Sequence, residues 1–257
     1  DAASLLSITF RPKIPKDESL VQALLGVDKI AKEAKKQAVI ICDEFQEIIH
    51  IDEGTSFQAS IRHAAERAQN TTYLFSGSKH QALRRLFNGK QNPLYELCDQ
   101  MSLSLIKDTY YYEYLQKASL KRWGDALKQD TLQGIIDSTE CYPKYVNALC
   151  AKLWRYEALP TLVDVRATWS DYMYTRKSGI REELEALKIN ERRLLRVLCN
   201  TPTEQPFSKA FLMTVDLSQS NVKRALEQLQ EKDLVCFFND EYRVIDPTYK
   251  HYFDMFG

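Results

Sequence analysis

A short, wholly apolar run constrains the fold of this chain more than any other feature. Ala38–Cys42 consists mainly of β-branched residues, and the acids Asp43 and Glu44 follow it directly. Such a run is typical of a strand that is buried on both faces, as the strands of parallel sheets are. The helical spacing of apolar residues from Ser19 to Lys36 predicts an amphipathic helix just before it. This pair of elements indicates an α/β protein.

The alternation of strand and helix signals continues to about residue 106. Two further apolar runs predict strands at Thr71–Phe75 and Met101–Ile106, and helical spacing predicts helices at Ser56–Gln69 and Gln81–Phe87. Strands that alternate with helices form a parallel sheet with right-handed crossovers. Residues 1–106 are therefore predicted to form a parallel-sheet core.

The strand signals stop after about Lys107, and a helical pattern replaces them. Residues 107–186 are predicted to be an all-helical domain, and residues 187–257 to combine three helices with two short strands. Three helices and a hairpin in this length are the layout of a winged helix-turn-helix. The helices predicted in the two domains are Tyr110–Gln129, Thr131–Thr139, Lys144–Tyr156, Leu162–Thr175, Glu191–Cys199, Ser208–Val215 and Ser220–Lys232.

Composition excludes several classes of protein. The 257 residues include 35 Lys and Arg against 35 Asp and Glu, so the formal net charge is +0. A protein that coats nucleic acid or an anionic membrane usually has a basic excess, so any such contact here must come from a local patch. The sequence has no apolar stretch long enough to span a bilayer, and Asp1–Phe10 lacks the layout of a signal peptide. We therefore expect a cytoplasmic protein with no membrane contact.

Cysteine and histidine spacing indicates no metal framework. The six cysteines are scattered without a CxxC pair, and the four histidines have no ligand-like spacing. Neither a zinc ribbon nor a set of disulfides is therefore expected.

The acids that follow the first predicted strand are the clearest candidates for chemistry. The carboxyl edge of a parallel sheet is where open α/β folds bind ligands. An apolar strand ending in Asp-Glu is the Walker B layout, in which the first acid holds Mg²⁺, usually through water, and the second polarises an attacking water. Asp43 would then be the metal residue and Glu44 the catalytic base. The alternative is that the two acids only cap a strand and face solvent.

The second predicted strand ends in small polar residues. Ser76, Gly77 and Ser78 follow Thr71–Phe75, so the hydroxyls of Ser76 and Ser78 are expected beside the acids and within reach of a γ-phosphate. Ser-Gly-Ser is also ordinary turn chemistry, and this second interpretation stays open.

These motifs, taken in order, resemble those of the archaeal-type P-loop ATPases, which lie near the AAA+ and STAND groups. The resemblance runs from about Leu20 to Phe253. It implies a P-loop core, a helical lid and a winged helix, with ATP and Mg²⁺ bound between core and lid. It also implies that Pro143 touches the nucleotide base. The motifs are Ile41-Cys42-Asp43-Glu44-Phe45-Gln46-Glu47, Leu74-Phe75-Ser76-Gly77-Ser78, Leu86-Phe87, Pro93-Leu94-Tyr95, Tyr142-Pro143-Lys144-Tyr145, Asp246-Pro247-Thr248-Tyr249 and His251-Tyr252-Phe253.

Three departures from the family pattern bear on hydrolysis more than on nucleotide binding. No Gly-x4-Gly-Lys-Ser/Thr loop occurs in the sequence, and the family position of that loop places it before Asp1. Glu96 and Leu97 stand where relatives have Gly-Arg after Pro-Leu-Tyr. Cys141 stands where the lid motif has glycine.

The predicted winged helix has a mixed surface. Asn221, Lys223, Arg224 and Gln228 are expected to face outward from its third helix, and Arg243 lies in the second wing strand, so all five could reach phosphate or base edges. From residue 181 onward, however, eleven Lys and Arg residues stand against thirteen Asp and Glu residues, a net charge of −2. DNA contact, protein contact and docking on the ATPase core all stay open.

The function that fits these features best is an ATP-binding and ATP-hydrolysing switch whose nucleotide state repositions the winged helix. ATP and Mg²⁺ are the expected cofactors, and a homo-oligomer is possible. The alternative is a non-enzymatic DNA- or protein-binding module with a degenerate nucleotide site.

Overall fold

The computed structural model describes residues 17–51, 54–101, 103–238 and 240–257. These residues form two compact units, the first ending at Gln100 and the second beginning at Met101. The segment Asp1–Phe10, for which no signal peptide is predicted, lies outside the described residues. In the described part of the chain, none of the helices is long and apolar enough to cross a membrane.

The first unit contains a small parallel sheet with helices packed on it. Strands β1 and β2 pair in parallel from Ala38 opposite Thr71 to Cys42 opposite Phe75, and both strand predictions are confirmed. Its buried core includes Phe45, Ile61, Leu86 and Leu94, and the strand residues Cys42 and Phe75 pack against it. The elements are α1 Asp17–Glu33, β1 Ala38–Cys42, a 3-10 turn at Phe45–His50, α2 Gly54–Arg67, β2 Thr71–Phe75 and α3 His80–Asn88.

Burial of the sheet differs from the sequence prediction. Val39 and Ile41 are 60% and 64% exposed, and Leu74 lies exposed on the paired strand. Side chains alternate between the two faces of a strand, so one whole face of this pair is open among the described residues. The prediction of burial on both faces is therefore wrong for the structure as described. In the described residues, one face of the two-stranded sheet is covered, because α1 and α2 pack against each other and against β2.

The third predicted strand, Met101–Ile106, is also not formed. Met101 and Leu103 are 82% and 86% exposed, and Ser102 lies outside the described residues. An apolar run becomes a strand only where a neighbouring strand supplies hydrogen-bond partners, and none of the described residues does so here. The parallel sheet is therefore two-stranded in the described part of the chain.

The second unit joins the helical region and the winged helix around one hydrophobic core. That core includes Leu149 and Met173 from the helical region and Leu194 and Leu229 from the winged helix. The elements are α4 Asp108–Trp123, α5 Gln129–Thr139, α6 Pro143–Leu153, α7 Leu162–Glu185, α8 Ile189–Asn200, α9 Lys209–Val215, α10 Gln219–Glu231, β3 Val235–Phe238, β4 Glu241–Val244 and α11 Thr248–Phe256. The division into domains 107–186 and 187–257 stays a prediction.

The winged helix follows the predicted pattern, with two refinements. Strands β3 and β4 form an antiparallel hairpin, and α10 begins after Ser218, whose hydroxyl accepts a hydrogen bond from the backbone of Asn221 at 3.3 Å. Ser218 is therefore the N-cap residue, and the helix begins at Gln219, one residue before the predicted start. Helix α11 was not predicted. It packs on both α7 and α8 and so links the winged helix to the helical region.

Hydrogen bonds and aromatic packing strengthen that link. The Tyr145 hydroxyl donates to the carboxylate of Asp246, and the Tyr249 hydroxyl donates to Glu183 of α7. Trp169 stacks on Tyr172 with ring centroids 5.3 Å apart. Aromatic residues that pack in this way contribute large buried areas to a core.

His251 of α11 gives the second unit a pH-sensitive contact. Its ring meets Trp169 edge-on at 5.2 Å, and burial lowers the pKa of His251 below its ordinary value of 6.5, although Glu140 and Asp254 oppose the shift and Lys250 adds to it. The unfolded chain then binds this proton at a higher pH than the folded chain does. The contribution of the neutral His251 ring to the free energy of unfolding is therefore complete above about pH 6.5. It is lost as the pH falls below that value, because the unfolded chain then binds the proton more readily.

We accordingly expect the thermal midpoint of the protein to fall between pH 7 and pH 5, and to fall less in the His251→Phe variant. Phenylalanine keeps an aromatic ring against Trp169 but cannot bind a proton. Thermal unfolding at the two pH values checks the expectation, and equal losses in parent and variant would refute it.

Candidate functional site

The two strand ends of the first unit meet at one edge of the sheet. Beyond the strands, the backbone N–H of Ser76 donates to the carbonyl of Cys42, and the N–H of Phe45 donates to the carbonyl of Ser76, both at 2.9 Å. These bonds continue the parallel pairing past the last strand residues. They therefore bring Asp43 and Glu44 next to the Ser76–Ser78 segment, as the sequence predicts.

Asp43 and Ser76 form the first contact across this edge. The Ser76 hydroxyl donates to Oδ1 of Asp43 at 2.7 Å, and the backbone N–H of Glu44 donates to the same oxygen at 3.0 Å. These two donors, Ser76 foremost, lower the pKa of Asp43. Asp43 is exposed and ionised at neutral pH, so its carboxylate remains open to solvent and to a ligand.

Glu44 and Ser78 form the second contact. The Ser78 hydroxyl donates to Oε2 of Glu44 at 2.8 Å, and the side-chain amide of Gln46 donates to the same oxygen. The donors, Gln46 first and then Ser78, lower the pKa of Glu44 and keep it ionised at neutral pH. Glu44 has a left-handed backbone with φ 48° and ψ 41°, which non-glycine residues adopt only where the surroundings hold them.

An aromatic cluster fixes the turn that carries these acids. The ring of Phe45 lies 4.5 Å from that of Phe75 and 5.9 Å from that of Phe87, centroid to centroid. Beside the site, Lys79 pairs with Glu47 at 2.9 Å on the surface. Apolar packing of Phe45 therefore holds the turn after β1 in place, and an exposed ion pair lies beside it.

Gln46 is the residue of this site that sequence reasoning missed. It is 1% exposed, although glutamine is mostly found at the surface. The signals in the sequence were its place in the Ile41–Glu47 motif and its position between Phe45 and Ile48, two core residues of a turn that follows a strand. The contact that reveals its role, with Gly77, is made by a residue far along the chain.

Oxygen ligands suitable for Mg²⁺ are present at this edge. Magnesium binds through one or two carboxylates and keeps several waters, so it does not need a cage of protein ligands. The carboxylate of Asp43 and the hydroxyl of Ser76 fit that requirement. Consistent with such an open site, no three His, Cys, Asp or Glu side chains among the described residues come together as a ligand set.

Pro143, the predicted contact for the nucleotide base, belongs to the second unit. It is the first residue of α6, where its missing N–H is tolerated. It is therefore not among the residues of the first unit that surround Asp43.

The predicted contact residues of the winged helix are not equally available. Lys223 and Arg224 are exposed on α10, whereas Asn221 and Gln228 are half-buried. Arg243 is also half-buried, and its charge acts on Tyr142, whose pKa burial raises to about 12. Of these five predicted contact residues, Lys223 and Arg224 are therefore the exposed ones.

Comparisons with known proteins bear on the fold. Residues 181–255 match the model of a family described as a probable winged helix domain. A solved structure described as the Walker-type ATPase paby2304 of Pyrococcus abyssi matches with a TM-score of 0.68 and 14% identity, over 98% of this chain and 73% of that chain. No curated protein matches the sequence. The chain shares the fold of an archaeal Walker-type ATPase and carries a winged helix domain, which confirms the resemblance to archaeal P-loop ATPases.

Proposed function

We propose that this chain, which shares the fold of an archaeal Walker-type ATPase, belongs to an ATP-binding and ATP-hydrolysing switch. The observation that carries the proposal is the pairing of Asp43 with Ser76 and of Glu44 with Ser78 at one edge of a parallel sheet. Ligands of open α/β folds bind at that edge. Carboxylates and hydroxyls held side by side there suit a magnesium nucleotide.

Each residue has a distinct role in this proposal. Asp43 and Ser76 hold Mg²⁺, which when bound neutralises charge on the phosphate oxygens. Glu44, ionised at neutral pH, orients the attacking water and accepts its proton. Ser78 lies beside Glu44 and contacts the γ-phosphate. No Gly-x4-Gly-Lys-Ser/Thr motif occurs in the 257 residues.

In this proposal, hydrolysis of ATP changes the position of the winged helix, which lies in the second unit. A switch needs two states that the nucleotide distinguishes, and contacts with the γ-phosphate are a common way to distinguish them. The test is whether the full-length protein hydrolyses ATP in the presence of Mg²⁺ and stops when EDTA is added. Absence of any magnesium-dependent hydrolysis would contradict the proposal.

A second candidate function, duplex binding by the winged helix, rests on the exposed pair Lys223 and Arg224 of α10. If these side chains contact phosphates, the Lys223→Ala and Arg224→Ala double variant should weaken duplex binding about tenfold. The slope of log affinity against log salt concentration should also fall in magnitude by about one for each residue replaced. Fluorescence anisotropy with a labelled duplex at several salt concentrations measures both effects.

The matched control removes the same charge elsewhere. Lys117 and Lys121 are exposed on α4, outside the winged helix. The Lys117→Ala and Lys121→Ala double variant should bind duplex as the parent does. Equal loss in both double variants would mean that net charge, rather than α10, governs the binding, and would remove this candidate.

A further inference from the structure

A buried glutamine underlies the acidic edge of the first unit. Gln46 is 1% exposed, and its side-chain amide donates to Oε2 of Glu44. Its carbonyl oxygen has no hydrogen-bond partner among the described residues. Leaving a buried polar atom unpaired costs free energy, and glutamine at this position incurs that cost.

The surroundings of Gln46 leave it little freedom. A Cβ added to Gly77 would lie 2.0 Å from the carbonyl oxygen of Gln46, far inside van der Waals contact. The loop between Ser76 and Ser78 therefore packs directly on this side chain, and a larger residue at position 77 would have to displace the amide of Gln46. Gln46 contacts both halves of the site: Glu44 through its amide, and the Ser-Gly-Ser loop through its oxygen.

We infer that Gln46 is a positioning residue, which holds the carboxylate of Glu44 beside Ser78 in the orientation that hydrolysis uses. The inference rests on the proposed function and goes beyond it, because Gln46 itself touches neither ATP nor Mg²⁺. Glu44 is exposed, so without the buried amide of Gln46 its carboxylate would be held only by the exposed donors of Ser78. A misplacement of about 1 Å of a catalytic group can cost about 100-fold in rate.

The test replaces Gln46 by methionine, which keeps the length of the side chain and removes the amide. Methionine is close to glutamine in volume, so the change leaves no large cavity in the core. In the full-length protein, Gln46→Met should lower kcat about 10- to 100-fold and leave the affinity for ATP within about twofold of the parent. This split between kcat and affinity is the mark of a positioning role, which a general loss of stability does not produce.

Gln58 provides a matched control in the same unit. It is 6% exposed on α2, and its carbonyl oxygen is also without a partner among the described residues. Gln58→Met should therefore cost similar stability and leave kcat unchanged. A parental kcat in Gln46→Met, or equal losses in both variants, overturns the inference. A parent that shows no magnesium-dependent hydrolysis overturns the proposed function, and this inference with it.

A second readout needs no nucleotide. The side-chain amide protons of Gln46 should exchange slowly with solvent in nitrogen-15 spectra of the full-length protein, because they are buried and bonded to Glu44. Glu44→Ala should speed the exchange about tenfold or more, while the side-chain amide of Gln58 should be unaffected. Exchange at Gln46 that is the same in parent and Glu44→Ala overturns the contact on which the inference rests.

Discussion

Replacing Glu44 by glutamine is expected to leave ATP bound and to lower the rate of its hydrolysis by about 10²- to 10⁴-fold, the usual contribution of a general base. Glutamine has the shape of glutamate and can still accept the hydrogen bond from the Ser78 hydroxyl, which is 2.8 Å from Oε2 in the parent. It cannot accept a proton from water at neutral pH. Single-turnover hydrolysis, measured with saturating protein, separates this chemical step from binding.

Glu47 supplies the control for this prediction. It lies three residues further along the same turn, is exposed, and pairs with Lys79 at 2.9 Å. An exposed ion pair of this kind contributes about 1 kcal/mol or less to stability. Glu47→Gln removes the same charge and should hydrolyse ATP at the parental rate. Parental hydrolysis in Glu44→Gln, or the same loss in both variants, would contradict the role assigned to Glu44.

Replacing Leu229 by alanine is expected to have the largest effect on stability. Leu229 is fully buried in α10 and belongs to the core that the winged helix shares with the helical region. Truncation of a buried leucine costs about 2–5 kcal/mol because it removes contacts and leaves a cavity. For a cooperative unit of this size, that loss corresponds to a drop of about 5–15 °C in the unfolding midpoint.

Tryptophan fluorescence makes this prediction specific. The three tryptophans, Trp123, Trp154 and Trp169, all lie in the helical region, and none lies in the winged helix. If the second unit unfolds as one body, Leu229→Ala must lower the midpoint that these distant tryptophans report. Ile189→Ala, at a position 75% exposed on α8, should leave it within about 1 °C. A tryptophan transition unmoved by Leu229→Ala would show that the two regions unfold independently.

The extent to which the sequence predicts this fold depends on how local each signal is. Strands β1 and β2 were predicted at their observed limits because each is a short apolar run bounded by polar turns. Met101–Ile106 alternates apolar residues with Ser102 and Ser104, a pattern that also suits a strand, yet its described residues form none, since a strand depends on a partner that its own residues do not specify. Helix α11 was missed because packing on α7 and α8 buries its aromatic residues, among them Tyr249 and Tyr252. The sequence alone does not show that packing.

The candidate site divides in the same way. Asp43, Glu44, Ser76 and Ser78 were identified from their positions after two strands, because parallel strands end at the same edge of a sheet. Gln46 was not identified as a site residue, since its role depends on packing against Gly77, which is distant in the sequence. Arg243 was expected on the surface but is half-buried, because its exposure depends on how the hairpin packs, which residue type does not reveal.

The most direct test of the account is to map where a nucleotide binds, by amide hydrogen exchange of the full-length protein with and without magnesium ATP at millimolar concentration. The account predicts slower exchange in residues 43–47 and 76–79, where the backbone N–H groups of Glu44 and Ser78 already donate to the two acids. The effect should disappear when EDTA replaces Mg²⁺. Unchanged exchange in both segments, with protection elsewhere or nowhere, would contradict a nucleotide site at this edge of the sheet.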